Sequence, residues 1–169
     1  MDDIVIIDDF LNEEELDYIT TPDHYHDFFK TWELQTSDIE NPTPDFNLVF
    51  LKKSLMDNKY YTSYLFDKIK KTFNQNYKLV DVYLNGQFPG RDGAFHTDDA
   101  DRTILLYTND WNPAWGGFTH FMKSKTDHII TAPLMGKLVN FKSSILHKGY
   151  SFCNQNCPMR ITAAFKLKL

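Results

Sequence analysis

From Lys78 to Leu169 the chain never runs far without a turn former. Eight short runs follow one another: "KLVDVYLNGQF", "GAFHTDD", "RTILLYTN", "GGFTHFM", "HIITAP", "GKLVNFK", "ILHKGYSF" and "MRITAAFKLKL". Gly, Pro, Asn and Asp separate them, and their apolar residues recur with the period of strands. Eight short strands at this spacing, placed after helices, indicate two sheets closed on each other as a barrel or jelly roll. A high aromatic content, 14 Phe, 9 Tyr and 3 Trp, suits the space between two sheets.

The earlier residues read differently. "IVIIDDFLNEEELDYI" is a short strand, a turn, and a helix with Glu in its first turn, where negative charge suits the helix dipole. "HDFFKTWELQT" reads as a strand, and "SDIENPTPDFN", with two prolines, as a loop. From Leu51 to about Asn76 the apolar positions Leu51, Leu55, Tyr61, Leu65, Ile69 and Phe73 recur at helical spacing. At 169 residues the simplest organisation is a single domain, residues 1–169. Residues 1–77 form its N-terminal strand and helix layer and 78–169 its jelly-roll core. The class is α+β, mostly β, with the helices packed on the outside of one sheet.

The start is acidic where a signal peptide needs positive charge, and no later stretch is apolar enough to span a membrane. Cys153 and Cys157 are the only cysteines, expected reduced, and the setting is expected to be cytoplasmic. The net charge of −5 is unevenly spread. Residues 1–50 hold 14 acidic side chains and one basic one, while residues 51–169 hold nine acidic and 17 basic. A basic half can attract nucleic acid. Because the lysines are dispersed and arginine is scarce, the favoured reading is an acidic layer packed on, and partly neutralising, the rest.

"GAFHTDDADR" contains His96 and Asp98 in a His-x-Asp pair. With six histidines and 23 acidic residues, roughly one such pair arises by chance. Side chains two apart on a strand point the same way, so both can aim into a barrel mouth. His147 lies in a later strand that a jelly roll could return beside the first. Two histidines and one carboxylate on one side of a metal leave the opposite positions open, the ligand set of non-haem Fe(II) oxygenases. In "MRITAAFKLKL", alternation puts Arg160, Thr162 and Ala164 on one face and Ile161, Ala163, Phe165 and Leu167 on the other. The second set is suited to packing on helices. An arginine facing a barrel interior is costly unless an anion meets it, and a dicarboxylate cosubstrate would meet it in a forked pairing.

In these motifs the chain resembles the 2-oxoglutarate- and Fe(II)-dependent dioxygenases, specifically the prolyl 4-hydroxylase-like branch. The resemblance runs from about Lys78 to the end, on "FHTDD", "ILLYTNDWNPAWGGFTHF", "APLMGKLVNFKSSILHKG" and "RITAAF", with "IVIIDDFLNEEELDYI" similar to the family's N-terminal strand and helix. It implies a double-stranded β-helix (jelly-roll, cupin-like barrel) in which His96, Asp98 and His147 bind Fe(II) and serve as the catalytic residues. It implies that Arg160 holds the far carboxylate of 2-oxoglutarate, with Tyr107 on the same carboxylate and Tyr83 facing the cosubstrate. The segment before His96 is longer than the family pattern, and so is that between His147 and Arg160. Gly116 and Gly117 match a family Gly-Gly and read as a tight turn or bulge. The implied activity is hydroxylation of a C–H bond on a peptide residue or a small molecule. It uses O₂, with ascorbate as a possible accessory, and converts 2-oxoglutarate to succinate and CO₂. Asp98 favours hydroxylation, since related halogenases lack this carboxylate.

Other candidates have plainer readings. His24 and His26 are expected to be a surface pair, and His120 a hydrogen-bonded core or rim residue. His128 has no evident partner. Asp99 and Asp101 are turn formers. Arg91 and Arg102 are expected in surface salt bridges. Residues 37–47 and 85–93 are the expected lids. Two alternatives remain: an oxidative nucleic-acid demethylase of the alkylation-repair type, and a barrel that keeps its metal for structure or binding only. The first usually has a second arginine on the terminal strand, where this chain offers Lys166. Substrate, regiochemistry and oligomeric state are not legible.

Overall fold

The computed structural model describes residues 2–20, 32–36 and 49–169. Strands β1 (Ile4–Ile7), β2 (Glu33–Thr36), β3 (Val49–Ser54), β4 (Lys78–Gln87), β5 (Arg102–Tyr107), β6 (Thr119–Met122), β7 (His128–Thr131), β8 (Leu138–Lys142), β9 (Leu146–Gly149) and β10 (Arg160–Lys168) form two antiparallel sheets. The larger has the order β1-β8-β5-β10-β4-β3-β2 and the smaller β7-β6-β9. Helix α1 (Glu13–Thr20) follows β1, and α2 (Phe66–Phe73) continues a wider helical turn over Tyr60–Leu65.

The terminal strand β10 sits at the centre of the large sheet, with Ala164 opposite both Tyr83 and Leu105. Its Ile161, Ala163, Phe165 and Leu167 join Val82, Leu84, Ile104 and Leu106 in the main core, together with Ile19, Tyr61, Leu65 and Ile69 of the helical layer. Tyr61 and Phe165 meet with ring centroids 6.4 Å apart. Helical side chains and the Ile161, Ala163, Phe165 and Leu167 set of β10 thus share one core. A smaller cluster, Tyr107, Phe121, Val139 and Phe141, lies between the two sheets.

Local chemistry explains the helix starts. Asn12 Oδ1 accepts from the Glu15 amide (2.9 Å), and Glu15 Oε2 accepts from the Asn12 amide (2.7 Å). This reciprocal pair caps α1. The Glu15 carboxylate also takes Tyr64 Oη (2.8 Å) and Lys68 Nζ (2.5 Å), tying α1 to the second helical segment. Asp8–Lys137 (3.1 Å) and Asp3–Lys142 (2.7 Å) likewise join the acidic N-terminal residues to the basic remainder, the arrangement favoured from the charge asymmetry.

Two expected elements differ. The helix expected from Leu51 begins only after Asn58, whose side chain accepts from the Tyr60 amide (2.9 Å). Leu51–Ser54 instead belong to β3, paired with β4. Leu51 packs on the main core from a strand, so a strand and a helix burying residues in one core gave the look of a single helical period. "GAFHTDD" forms no ladder of its own, and the chain bends at residues 99–101. A single bridge joins His96 to His147. Residues 21–31, including His24 and His26, and the expected loop and lid at 37–47 lie outside the described residues.

Candidate metal and anion site

Residues 93–98 run beside β9 on backbone hydrogen bonds: Gly93 N to Gly149 O (3.0 Å), His96 N to His147 O (3.0 Å) and His147 N to His96 O (2.9 Å). Asp98 N bonds to Ser143 O (2.9 Å). These bonds bring the two imidazoles together, ring centroids 4.3 Å apart and planes tilted by 49°. Each ring is turned by a carbonyl two residues earlier: Ala94 O lies 3.0 Å from His96 Nδ1, and Ile145 O 2.9 Å from His147 Nδ1. A carbonyl only accepts, so Nδ1 carries the proton and Nε2 presents its lone pair. Asp98 Oδ1 is 3.6 Å from His96 Nε2, and Oδ2 is 3.5 Å from His147 Nε2. One ligand atom from each of the three residues falls within 4.8 Å of the others.

The two imidazoles differ in exposure. The His96 side chain is 51% exposed, at the rim, and that of His147 only 6%. Burial pushes His147 down to about 4, although Asp98 pulls the other way, so at neutral pH its imidazole is uncharged. Burial alone would raise Asp98. Lys166 and His147, with hydrogen bonds from Lys166 and Thr103, hold it below the usual carboxylate value.

Those hydrogen bonds come from residues to which sequence reasoning assigned no role at the site. Thr103 Oγ1 donates to Asp98 Oδ2 (2.6 Å) and lies 2.9 Å from Ser143 Oγ. The Lys166 ammonium contacts the same Oδ2. The only available signal was the parity of β10, which puts Lys166 on the face of Arg160. Its partner depends on a register that the sequence does not print.

Arg160 occupies a distinct end of the interior. It is 3% exposed. Its Nε donates to Gly117 O (2.8 Å), Nη1 to Gln87 Oε1 (2.8 Å) and Nη2 to Thr119 Oγ1 (2.7 Å). Tyr107 Oη donates to the same Thr119 oxygen (2.7 Å), and the guanidinium carbon lies 5.5 Å from the Tyr107 ring centre. Among the described residues no carboxylate pairs with Arg160, so a buried cation meets only neutral acceptors. Gly117 makes this possible: it has φ +77°, and a Cβ there would fall 2.5 Å from Phe152. A larger residue would disturb the carbonyl that Arg160 uses.

The remaining candidates separate by face. Tyr83 points inward, its ring under Lys52 Nζ (4.2 Å) and 5.9 Å from Lys166 Nζ, at the Asp98 end rather than beside Arg160. Burial, then Asp98 and Asp81, raise its hydroxyl above the ordinary phenol value. His120 faces away from the interior, since its strand neighbours Thr119 and Phe121 are the buried ones. Its Nε2 is 2.9 Å from His128 Nδ1, which supplies the partner that His128 was thought to lack. Arg102 is no surface ion pair. It is buried, donating through Nε to Asn140 Oδ1 (2.8 Å) and through both Nη atoms to Asp2 O (3.2 Å). Of the expected lid at 85–93, Asn85–Gln87 belong to β4. The rest is tied down by Gly90 N to Phe152 O (2.9 Å) and by Ser151 Oγ to Asp92 Oδ1 (3.0 Å).

No family model and no curated protein matches the sequence. Solved structures do match. A prolyl hydroxylase from Trichoplax adhaerens, in complex with a hypoxia inducible factor oxygen degradation domain peptide fragment, superposes with TM-score 0.75 at 14% identity, over 97% of this chain and 83% of that one. An oxidoreductase of the 2OG-Fe(II) oxygenase family from Burkholderia pseudomallei gives 0.72 at 10%, over 98% and 84%. The viral collagen prolyl hydroxylase of Paramecium Bursaria Chlorella virus-1, as its 2OG complex, gives 0.64 at 18%, over 98% and 96%. The chain has the fold of the prolyl hydroxylases and other 2OG-Fe(II) oxygenases, a mostly β jelly roll.

Proposed function

We propose that this protein is a 2-oxoglutarate- and Fe(II)-dependent dioxygenase that hydroxylates a C–H bond of a peptide residue or a small molecule. The observation that carries the reading is Arg160, a buried guanidinium without a carboxylate partner among the described residues, lining the same barrel interior as two Nε2 lone pairs and a carboxylate gathered within 4.8 Å. A buried cation that meets only neutral groups is unfavourable until an anion arrives.

The donor set fits a ferrous ion, with two imidazoles, one carboxylate and an open side at His96. When bound, iron and 2-oxoglutarate supply the redox chemistry: O₂ is consumed, 2-oxoglutarate gives succinate and CO₂, and one oxygen atom enters the substrate C–H bond. The chain's own residues position the reactants. Arg160 pairs with the far carboxylate, and Thr119, accepting from both Arg160 and Tyr107, holds the guanidinium and the phenol together. Tyr107 Oη is suited to turn its proton to that carboxylate. His147 stays uncharged and Asp98 charged at neutral pH. Tyr83 walls the Asp98 end. A cytoplasmic setting is consistent with two free cysteines and with no helix among the described residues that is long and apolar enough to cross a membrane.

The reading is tested by incubating the protein with Fe(II), ascorbate and 2-oxoglutarate and measuring succinate, with pools of peptides and metabolites screened for gain of one oxygen atom. Slow succinate formation, accelerated by a substrate and lost in His96→Ala, is expected. Equal succinate from His96→Ala would show that the metal site is misassigned.

A further inference from the structure

We propose that Lys166 is a charge-setting residue of the metal site: it occupies one oxygen of Asp98, leaves the other for the metal, and adds a positive charge that trades metal affinity for affinity toward an anionic cosubstrate. The proposal rests on the dioxygenase reading above and deepens it.

Lys166 lies on the inner face of the central strand β10, opposite Asp81 on β4 and Thr103 on β5. Its side chain is 14% exposed, and the ammonium contacts Asp98 Oδ2. That oxygen also accepts the Thr103 hydroxyl (2.6 Å). Among the described residues no hydrogen-bond donor reaches Oδ1, which faces His96 Nε2 at 3.6 Å. The carboxylate is thereby divided, one oxygen saturated by protein donors and the other left for a cation. Outer contacts of this kind fix which ligand atom is offered and in which direction.

Thr103 alone could orient the carboxylate without adding charge. Lys166 does more. A divalent ion held by two neutral imidazoles and one carboxylate carries one net positive charge, and the ammonium doubles it at short range, beside a carboxylate whose side chain is 8% exposed. Charges so placed interact strongly. The ammonium repels the metal and competes with it for Asp98, so it must weaken metal binding. It attracts any anion that chelates the metal, so it must strengthen that step. A residue that only supports the fold would move both affinities the same way. Opposite signs are the signature.

The experiment is calorimetric titration of Co(II), a redox-stable stand-in for Fe(II), into the full chain, followed by titration of 2-oxoglutarate into the Co(II)-loaded protein. Lys166→Met is expected to bind Co(II) at least about tenfold more tightly and 2-oxoglutarate at least about tenfold more weakly, while Lys166→Arg stays near the parent on both. Lys166→Gln, which keeps a donor for Oδ2 but drops the charge, gives the same pair of shifts and serves if the Met variant does not fold. Thr103→Val, which removes a donor without changing charge, is expected to weaken Co(II) binding only. Weaker Co(II) binding in both uncharged Lys166 variants, or unchanged 2-oxoglutarate affinity, overturns the proposal. Its failure is separable from failure of the dioxygenase reading, in which the parent would not bind Co(II) or His96→Ala would bind it equally well.

Discussion

The two faces of β10 obey different rules although they share one backbone. Outward, Ile161, Ala163, Phe165 and Leu167 disappear into the core beneath the helices, and each residue is explained by the surface it removes from water. Inward, Arg160 is a buried cation and Lys166 a largely buried one, and packing explains neither. Lys166 has a carboxylate, whereas Arg160 has a backbone carbonyl, an amide oxygen and a hydroxyl. One face is optimised for stability. The other keeps arrangements that stability alone would not select, which marks it as the working face.

Substitutions on the two faces should therefore fail in different ways. Phe165→Ala removes a fully buried ring and is expected to cost about 4 kcal/mol of folding stability. The metal affinity of the fraction that remains folded should be unchanged, as chemical denaturation and Co(II) titration can check. Arg160→Met should do the reverse. Loss of a forked pairing to a buried carboxylate is expected to cost about 3 kcal/mol in 2-oxoglutarate affinity, while the melting temperature holds or rises because a desolvated cation has gone. If Arg160→Met unfolds the protein and spares the cosubstrate, the division between faces is wrong.

Acidification between about pH 6.5 and 4 tests the inner side, because the outward residues of β10 do not titrate and Glu15, in the helical layer above them, is held below its ordinary value. His147, buried to about 4 in the folded protein, takes up a proton near 6.5 once unfolded. Between those values the unfolded chain binds more protons, so stability of the metal-free protein rises with pH and is lost as pH falls from about 6.5 toward 4. The loss should approach roughly 3 kcal/mol, with Asp98 acting in the same direction at still lower pH. His147→Asn should flatten the slope between those pH values in denaturant titrations. A smaller effect is expected for Tyr107→Phe, which removes the donor to Thr119 Oγ1: about 1 kcal/mol of stability, with a matching modest rise in the KM for 2-oxoglutarate.

Legibility in the sequence divides along the same line. The outer face of β10, the strand succession from Lys78 onward apart from "GAFHTDD", and the inward aim of Arg160 follow from a period of two and from side-chain chemistry. His96, Asp98 and His147 stood out only together with the motifs that follow them, since a His-x-Asp pair alone is expected by chance. Lys166, Thr103, Gln87 and Thr119 did not, because ordinary residues gain meaning only through their neighbours, and neighbours depend on strand order and register. Asp98 and Lys166 are 68 positions apart and meet only because the terminal strand runs through the middle of the large sheet. The β3 segment differs for a related reason: Leu51 in the strand and Leu55 just after it feed the same core as the helix that follows, and periodicity cannot tell one long helix from a strand and a helix in sequence.

The central claim is convergence of three side chains on one ion, within the same interior as an anion-binding arginine. It is tested most directly by anomalous diffraction at the iron edge from a crystal grown without oxygen, with Fe(II) and 2-oxoglutarate present. The predicted map has one strong peak bonded to His96 Nε2, His147 Nε2 and an oxygen of Asp98, with the far carboxylate of 2-oxoglutarate paired to Arg160. A peak elsewhere, or a 2-oxoglutarate whose far carboxylate lies away from Arg160, would contradict it.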